Sequence, residues 1–251
     1  MRYSVCIDAV FSQDPVAGIA KAAKYGAAVE FWKWWDRDLE AIKNALLENK
    51  AELCAFCTKF VSLTDPEKSG EYAEGLCESL ETAKKLGCGT LISQVGQDTG
   101  KPHEEQLLNI VKGLERCVPY LEKAGVTLVI EPLNTKLNHP GYLLTKSSEA
   151  FDIIRSVGSG NVKVLFDIYH QQITEGDILR NLLPNIELVG HIHAAGSTGR
   201  NELYNGELDF GYIFSQLDKT AYKGFVGLEY SSSEDAGKGL EYAVKIAQNL
   251  K

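Results

Sequence analysis

Eight short β-rich runs alternate with longer helical patterns from one end of this 251-residue chain to the other, and few folds accommodate that rhythm. The runs are Tyr3–Asp8, Ala27–Trp32, Ala51–Cys57, Thr90–Gly96, Thr127–Asn134, Val162–His170, Glu187–Ala195 and Phe225–Ser231. Several are near-continuous apolar stretches, such as TLVI, VKVLF and FVGL. Strands covered on both faces read this way, as in a parallel sheet. The intervening segments carry helix signals. Asp14 can cap a helix that begins at Pro15 and stops at Gly26. Leu76, Leu80, Ala83 and Leu86 keep helical spacing up to Gly87. A helix over Glu104–Ala124 contains Pro119, which is expected to kink it, and a last helix is expected over about Glu234–Leu250. Strand–helix units repeated eight times predict an α/β fold, a single (β/α)8 TIM barrel spanning residues 1–251. An open doubly wound sheet would bring a GxGxxG turn after the first strand; here that turn reads DAVFSQDP.

The net charge of −8, with no Lys/Arg cluster, argues against nucleic acid and anionic membrane as partners. A small anionic substrate is compatible with it, and so is a homo-oligomer. No apolar run is long enough to span a bilayer. Residues 1–10 lack the apolar core and cleavage site of a signal peptide, so a cytoplasmic location is expected. Cys54 and Cys57 form a CxxC. On a regular strand, residues three apart face opposite ways, which predicts buried structural thiols and no shared disulfide or zinc.

Barrel enzymes build their sites at the C-terminal ends of the strands. Four consecutive runs end in potential metal ligands: TLVIE at Glu131, KVLFD at Asp167, LVGHIH at His193 and FVGLE at Glu229. A buried unpaired carboxylate costs several kcal/mol, so each must be paired, protonated or bound to a cation. Three carboxylates at one mouth would repel one another. A divalent cation removes the conflict, and three carboxylates with one imidazole suit Mn²⁺, Mg²⁺ or Co²⁺, with Zn²⁺ as a further option. His191 shares the strand parity of His193 and should point into the barrel one layer lower. Glu30 ends the second run and is expected to orient neighbours or substrate. Lys136, after the fifth run, can meet an anionic substrate or stay solvated. Trp32, Trp34 and Trp35 can wall the pocket or form an interface. His103 and His139 read as loop residues, His139 beside the site.

The segments IEPLN at 130–134, HPGYLL at 139–144, FDIYHQQ at 166–172, GHIHAAGSTGRNE at 190–202, GELDF at 206–210 and AYKGFVGLEY at 221–230 resemble the xylose-isomerase-like barrel superfamily, and within it the hydroxypyruvate isomerase family. The resemblance implies that Glu131, Asp167, His193 and Glu229 bind one divalent metal. It implies that Glu131 and Glu229 are the catalytic proton-transfer pair, working through an enediolate. By the same resemblance, His170 contacts a substrate oxygen and Arg200 is the basic residue of the loop after the seventh strand. There it meets a substrate carboxylate, or pairs with Glu202 or Glu207. At position 193 hydroxypyruvate isomerases commonly carry Gln, whereas ketose 3-epimerases carry His; the Pro usual before the Gly-Arg pair is also absent. The expected activity is isomerisation of a small hydroxy-keto acid. The alternatives are a 2-oxo-tetronate isomerase or ketose 3-epimerase, and below these an endonuclease IV-like nuclease or a non-catalytic binding module. The nuclease would need more metal ligands and a basic rim.

Overall fold

A computed structural model describes residues 1–11 and 14–249 of the chain. Its strands are β1 (Arg2–Cys6), β2 (Ala28–Phe31), β3 (Leu53–Cys57), β4 (Thr90–Ser93), β5 (Thr127–Ile130), β6 (Val162–Asp167), β7 (Val189–Ala194) and β8 (Phe225–Leu228). They pair in parallel, in chain order, and close through β1 and β8, where Arg2 faces Phe225 and Val5 faces Leu228. Helices α1 (Ile7–Val10), α2 (Pro15–Ala23), α3 (Leu39–Glu48), α4 (Ser69–Leu86), α5 (His103–Ala124), α6 (Ser147–Val157), α7 (Ile168–Thr174), α8 (Ile178–Leu182) and α9 (Phe210–Leu217) lie between the strands, and α10 (Ala236–Asn249) follows β8. The expected end of the last helix, Leu250, lies outside the described residues.

The strand periodicity of two separates two cores. Val29, Phe56, Leu91, Leu128, Phe166 and Ile192 belong to the large apolar cluster that includes the helices. Ala28, Ala55, Ile92, Val129 and Leu165 form a smaller cluster, the packed interior of the barrel. Helix ends follow the sequence signals. The Asp14 side chain accepts from the Ala17 N–H at 3.2 Å, with Pro15 at the first helical position. Gly87, at φ +72°, takes the left-handed conformation that ends α4. Helix α5 runs on through Pro119, and His103 is its first residue, not part of a loop.

The strands end earlier than the apolar runs suggest. β6 stops at Asp167 because its side chain accepts from the Tyr169 and His170 N–H groups and starts α7. The run there is apolar across a strand–helix junction, so hydrophobicity alone does not mark the boundary. Residues Leu183–Leu188 form a 3₁₀ turn before β7. The CxxC thiols are buried and free, as expected, but they do not face opposite ways. A register shift pairs Val29 with Leu53 but Glu30 with Ala55, so Cys54 is an extra residue on β3. Both Cys54 and Cys57 consequently join the interior cluster, as free buried thiols.

Candidate active site

Each candidate ligand follows an interior barrel residue two positions earlier on the same face. Glu131 follows Val129, Asp167 follows Leu165, His193 follows His191, and Glu229 follows Gly227. Register places Asp167 beside His193, and His193 beside Gly227. Donor atoms of Glu131, Asp167, His193 and Glu229 all lie within 4.8 Å of one another, and all four residues are buried. The Nδ1 atom of His193 stands 3.2 Å from Glu229 Oε2 and 3.8 Å from Glu131 Oε1. Asp167 serves two purposes. Its Oδ1 caps α7, while its Oδ2 faces the cluster, 3.6 Å from His170 Nε2 and 3.7 Å from an Arg200 guanidinium nitrogen.

The electrostatics are those of carboxylates crowded out of water. Burial pushes the Glu131 carboxyl up to about 8, and Glu229 and Asp167 add to the rise against the pull of His193. Burial acts on Glu229 in the same sense, but Arg200 and His193 outweigh it and hold that carboxyl well below the usual range. Arg200 pairs directly with Glu229. The indole Nε1–H of Trp32 donates to Glu229 Oε1 at 2.6 Å.

These residues fit a divalent cation. Glu131 Oε1 and His193 Nδ1 are buried and have no hydrogen-bond partner, although both are aimed into the cluster. Three carboxylates and an imidazole form a hard, mainly oxygen donor set. The opposite ring nitrogen of His193 lies 3.3 Å from Glu30 Oε2, which His191 Nε2 also approaches at 2.8 Å. A carboxylate on the far nitrogen fixes the tautomer that leaves Nδ1 free as a ligand. Burial opposes ionisation of Glu30, but the two histidines prevail and hold it at about 2. Cys54 approaches the same Glu30–His191 pair, but that carboxylate is already shared by two imidazoles.

The sequence profile described as "Xylose isomerase-like TIM barrel" matches residues 19–249. The chain belongs to that family. Within it, the chain is a member of the hydroxypyruvate isomerase family. The Escherichia coli hydroxypyruvate isomerase is 29% identical over 254 residues, covering 96% of this chain and 98% of the relative. The 2-oxo-tetronate isomerase of Cupriavidus necator is 42% identical over a shorter stretch, 46% of this chain and 44% of its own. The crystal structure of an AP endonuclease, family 2, from Brucella melitensis superposes with a TM-score of 0.92 at 26% identity, covering 97% of this chain and 98% of that one. With isomerases as its curated relatives, the chain is an isomerase.

In this hydroxypyruvate isomerase family member, the cluster forms one side of a pocket of 260 Å³ at the C-terminal mouth of the barrel. Glu131, His193, Glu229, His170 and Arg200 line it, together with Trp32, Lys33, Phe60, Ile92, Leu133 and His139. Two expected substrate contacts stand elsewhere. Glu30 lies below the pocket and reaches it only through His193. Lys136 donates from Nζ to the Ile173 carbonyl at 2.7 Å and does not line the pocket. Lys33 lines it instead, a residue that no sequence pattern distinguished. Arg200 pairs with neither Glu202 nor Glu207 but with Glu229 and Asp167, its guanidinium 5.1 Å from the Tyr169 ring centroid. Its backbone, at φ +54°, takes the left-handed conformation uncommon for a residue other than glycine. Trp32 answers the open question about its aromatic group by walling the pocket, whereas Trp34 and Trp35 pack edge to face, with Trp35 against Phe60.

Proposed function

We propose that this isomerase interconverts a short α-hydroxy keto acid of the hydroxypyruvate type and its aldehyde isomer. A divalent cation held by Glu131, Asp167, His193 and Glu229 serves the reaction. The observation that carries this reading is the four-residue cluster, with two donor atoms left unpartnered inside it. When bound, a cation such as Mn²⁺, Mg²⁺ or Co²⁺, or alternatively Zn²⁺, supplies Lewis-acid stabilisation of the charge that develops on the substrate oxygens.

The chain's own groups do the rest. One of the two glutamates, Glu131 or Glu229, removes the proton from the carbon beside the carbonyl, giving an enediolate. The partner glutamate takes up the hydroxyl proton and returns it at the neighbouring carbon, while the first glutamate delivers its proton to the former carbonyl oxygen. Such a general acid–base pair contributes about 10²–10⁴-fold. His170 faces a substrate oxygen. Arg200 and Lys33 are the cations available to the substrate carboxylate, which must settle beside three acidic side chains; the planar guanidinium can grip it through two parallel hydrogen bonds. Trp32, Phe60, Ile92 and Leu133 exclude water from the other side. At 260 Å³ the pocket is smaller than the ~300–1,000 Å³ typical of drug-sized ligands, which favours a short substrate.

The same groups could epimerise a ketose by returning the proton to the opposite face of one carbon, and His193 is the residue that favours this second reading. Assays of cation-loaded protein on hydroxypyruvate, on a four-carbon 2-oxo acid and on a ketohexose separate the two. The expected order of kcat/KM is acids first, with little turnover of the ketohexose. Efficient epimerisation of the ketohexose with inert acids would overturn the proposal.

A further inference from the structure

His170 is fully buried on α7 and forms part of the pocket wall. Its Nδ1 is met twice by one residue: the backbone N–H of Asn134 donates at 3.2 Å, and the Asn134 side-chain amide lies at 2.7 Å. A backbone nitrogen cannot exchange donor for acceptor, so Nδ1 must present its lone pair. The side-chain amide is oriented independently. Its Oδ1 accepts from the backbone N–H groups of Leu137 at 3.0 Å and Asn138 at 3.4 Å, which turns Nδ2 toward His170. The same Nδ2 also donates to Asn138 Oδ1 at 3.1 Å. A neutral imidazole that accepts at Nδ1 carries its hydrogen on Nε2. That nitrogen is buried and makes no hydrogen bond, the nearest acceptor, Asp167 Oδ2, standing beyond hydrogen-bond reach at 3.6 Å. A buried unpaired donor in a pocket wall calls for a ligand atom to complete it.

We propose that Asn134 is a positioning residue: it locks His170 in the Nε2–H tautomer, so that the imidazole meets the substrate as a neutral hydrogen-bond donor and not as a base. Which substrate oxygen it meets rests on the proposed isomerase reading; the tautomer does not. Protonation of Nδ1 would set an N–H against two other N–H groups. A donor already fixed in place stabilises an oxygen as it gains negative charge, without reorganisation during the reaction. Proton transfer at carbon is thereby left to Glu131 and Glu229.

The test is the histidine side-chain ¹⁵N spectrum of the whole chain, with and without Mg²⁺, using His170→Gln to assign the signal. The wild-type protein should show hydrogen on Nε2 and none on Nδ1. Asn134→Asp keeps the backbone N–H and the oxygen that receives Leu137 and Asn138, but it sets a charged acceptor against Nδ1 in place of the closer side-chain donor, so hydrogen should appear there in competition with the longer backbone contact. In that variant kcat should fall by about 10², with KM changed much less. Wild-type hydrogen on Nδ1 would overturn the lock, even if the variant fails to fold. An Asn134→Asp protein that keeps the wild-type tautomer would overturn the side-chain amide's part in the lock. A switched tautomer with unchanged kcat would overturn the donor role. Absence of turnover by the wild type on any hydroxy keto acid strikes the proposed function instead, and the spectrum still decides the tautomer.

Discussion

Glu131 and His193 both favour their protonated forms, so a cation bound at the proposed site would have to displace protons. Burial raises the Glu131 carboxyl to about 8, and Glu30 and Glu229, acting against burial, raise the His193 imidazole well above its ordinary value. In the cation-free protein, Glu131 therefore keeps a proton between about pH 4.3 and 8 that the unfolded chain has lost, so its contribution to stability falls as pH rises through that window. Cation binding expels that proton, so affinity must rise with pH over the same range. Calorimetric titration with Mn²⁺ should give at least about tenfold tighter binding at about pH 8 than at about pH 6, with proton release. A pH-independent affinity would contradict protonated ligands. Glu131→Gln and Glu229→Gln should each lower kcat by at least about 10² on a substrate the wild type converts. Near wild-type turnover by either, with cation bound, would remove that residue from proton transfer. The four candidate ligands were legible in the sequence because each acid or His ends an apolar run. Trp32 as a donor to Glu229, Asn134 beneath His170, and Lys33 in place of Lys136 were not. Each depends on side-chain direction in a loop, where no periodicity indicates which way a residue faces.

β8 shows how an element can serve the site with a residue that carries no functional group. Gly227 lies between the site and the barrel floor, and a Cβ there would come 2.1 Å from Glu30 Oε1 and 2.7 Å from His193 Cδ2. The missing side chain is the space in which Glu30 reaches His193. Gly227→Ala must push that pair apart, and partners of metal-binding histidines typically matter by about 10–100-fold in affinity. Cation affinity should fall by about that factor while the circular dichroism spectrum stays that of the wild type. Unchanged affinity would mean that Glu30 does not orient His193. Among the elements, the eight strands and the helix caps at Asp14 and Gly87 could be read from local pattern. The extra residue at Cys54 could not, because a bulge is a property of pairing between strands, and β3 alone contains no sign of it. The end of β6 was overrun for a related reason. Asp167 is both cap and candidate ligand, and only the cap sets the boundary.

At the scale of the molecule, a closed barrel converts four separate strand ends into one cluster. Positions from 131 to 229 meet only because β5 to β8 are neighbours around a closed sheet. The convergence depends on the fold, which eight regularly spaced runs make legible in the sequence. Among the described residues no helix is long and apolar enough to cross a membrane. The net charge of −8 is the opposite of what a polyanion binder usually carries, and it agrees with the proposed small substrate more than with DNA, despite the likeness to the Brucella structure. The cluster itself is most directly tested by titrating Mn²⁺ into the wild type and into Asp167→Asn. The amide retains an oxygen able to cap α7 but gives up the carboxylate charge at the cluster. One ion per wild-type chain, with stoichiometric binding lost in Asp167→Asn at an unchanged melting profile of the cation-free protein, is the expected result. Equal binding by both proteins would contradict a cation held by Glu131, Asp167, His193 and Glu229.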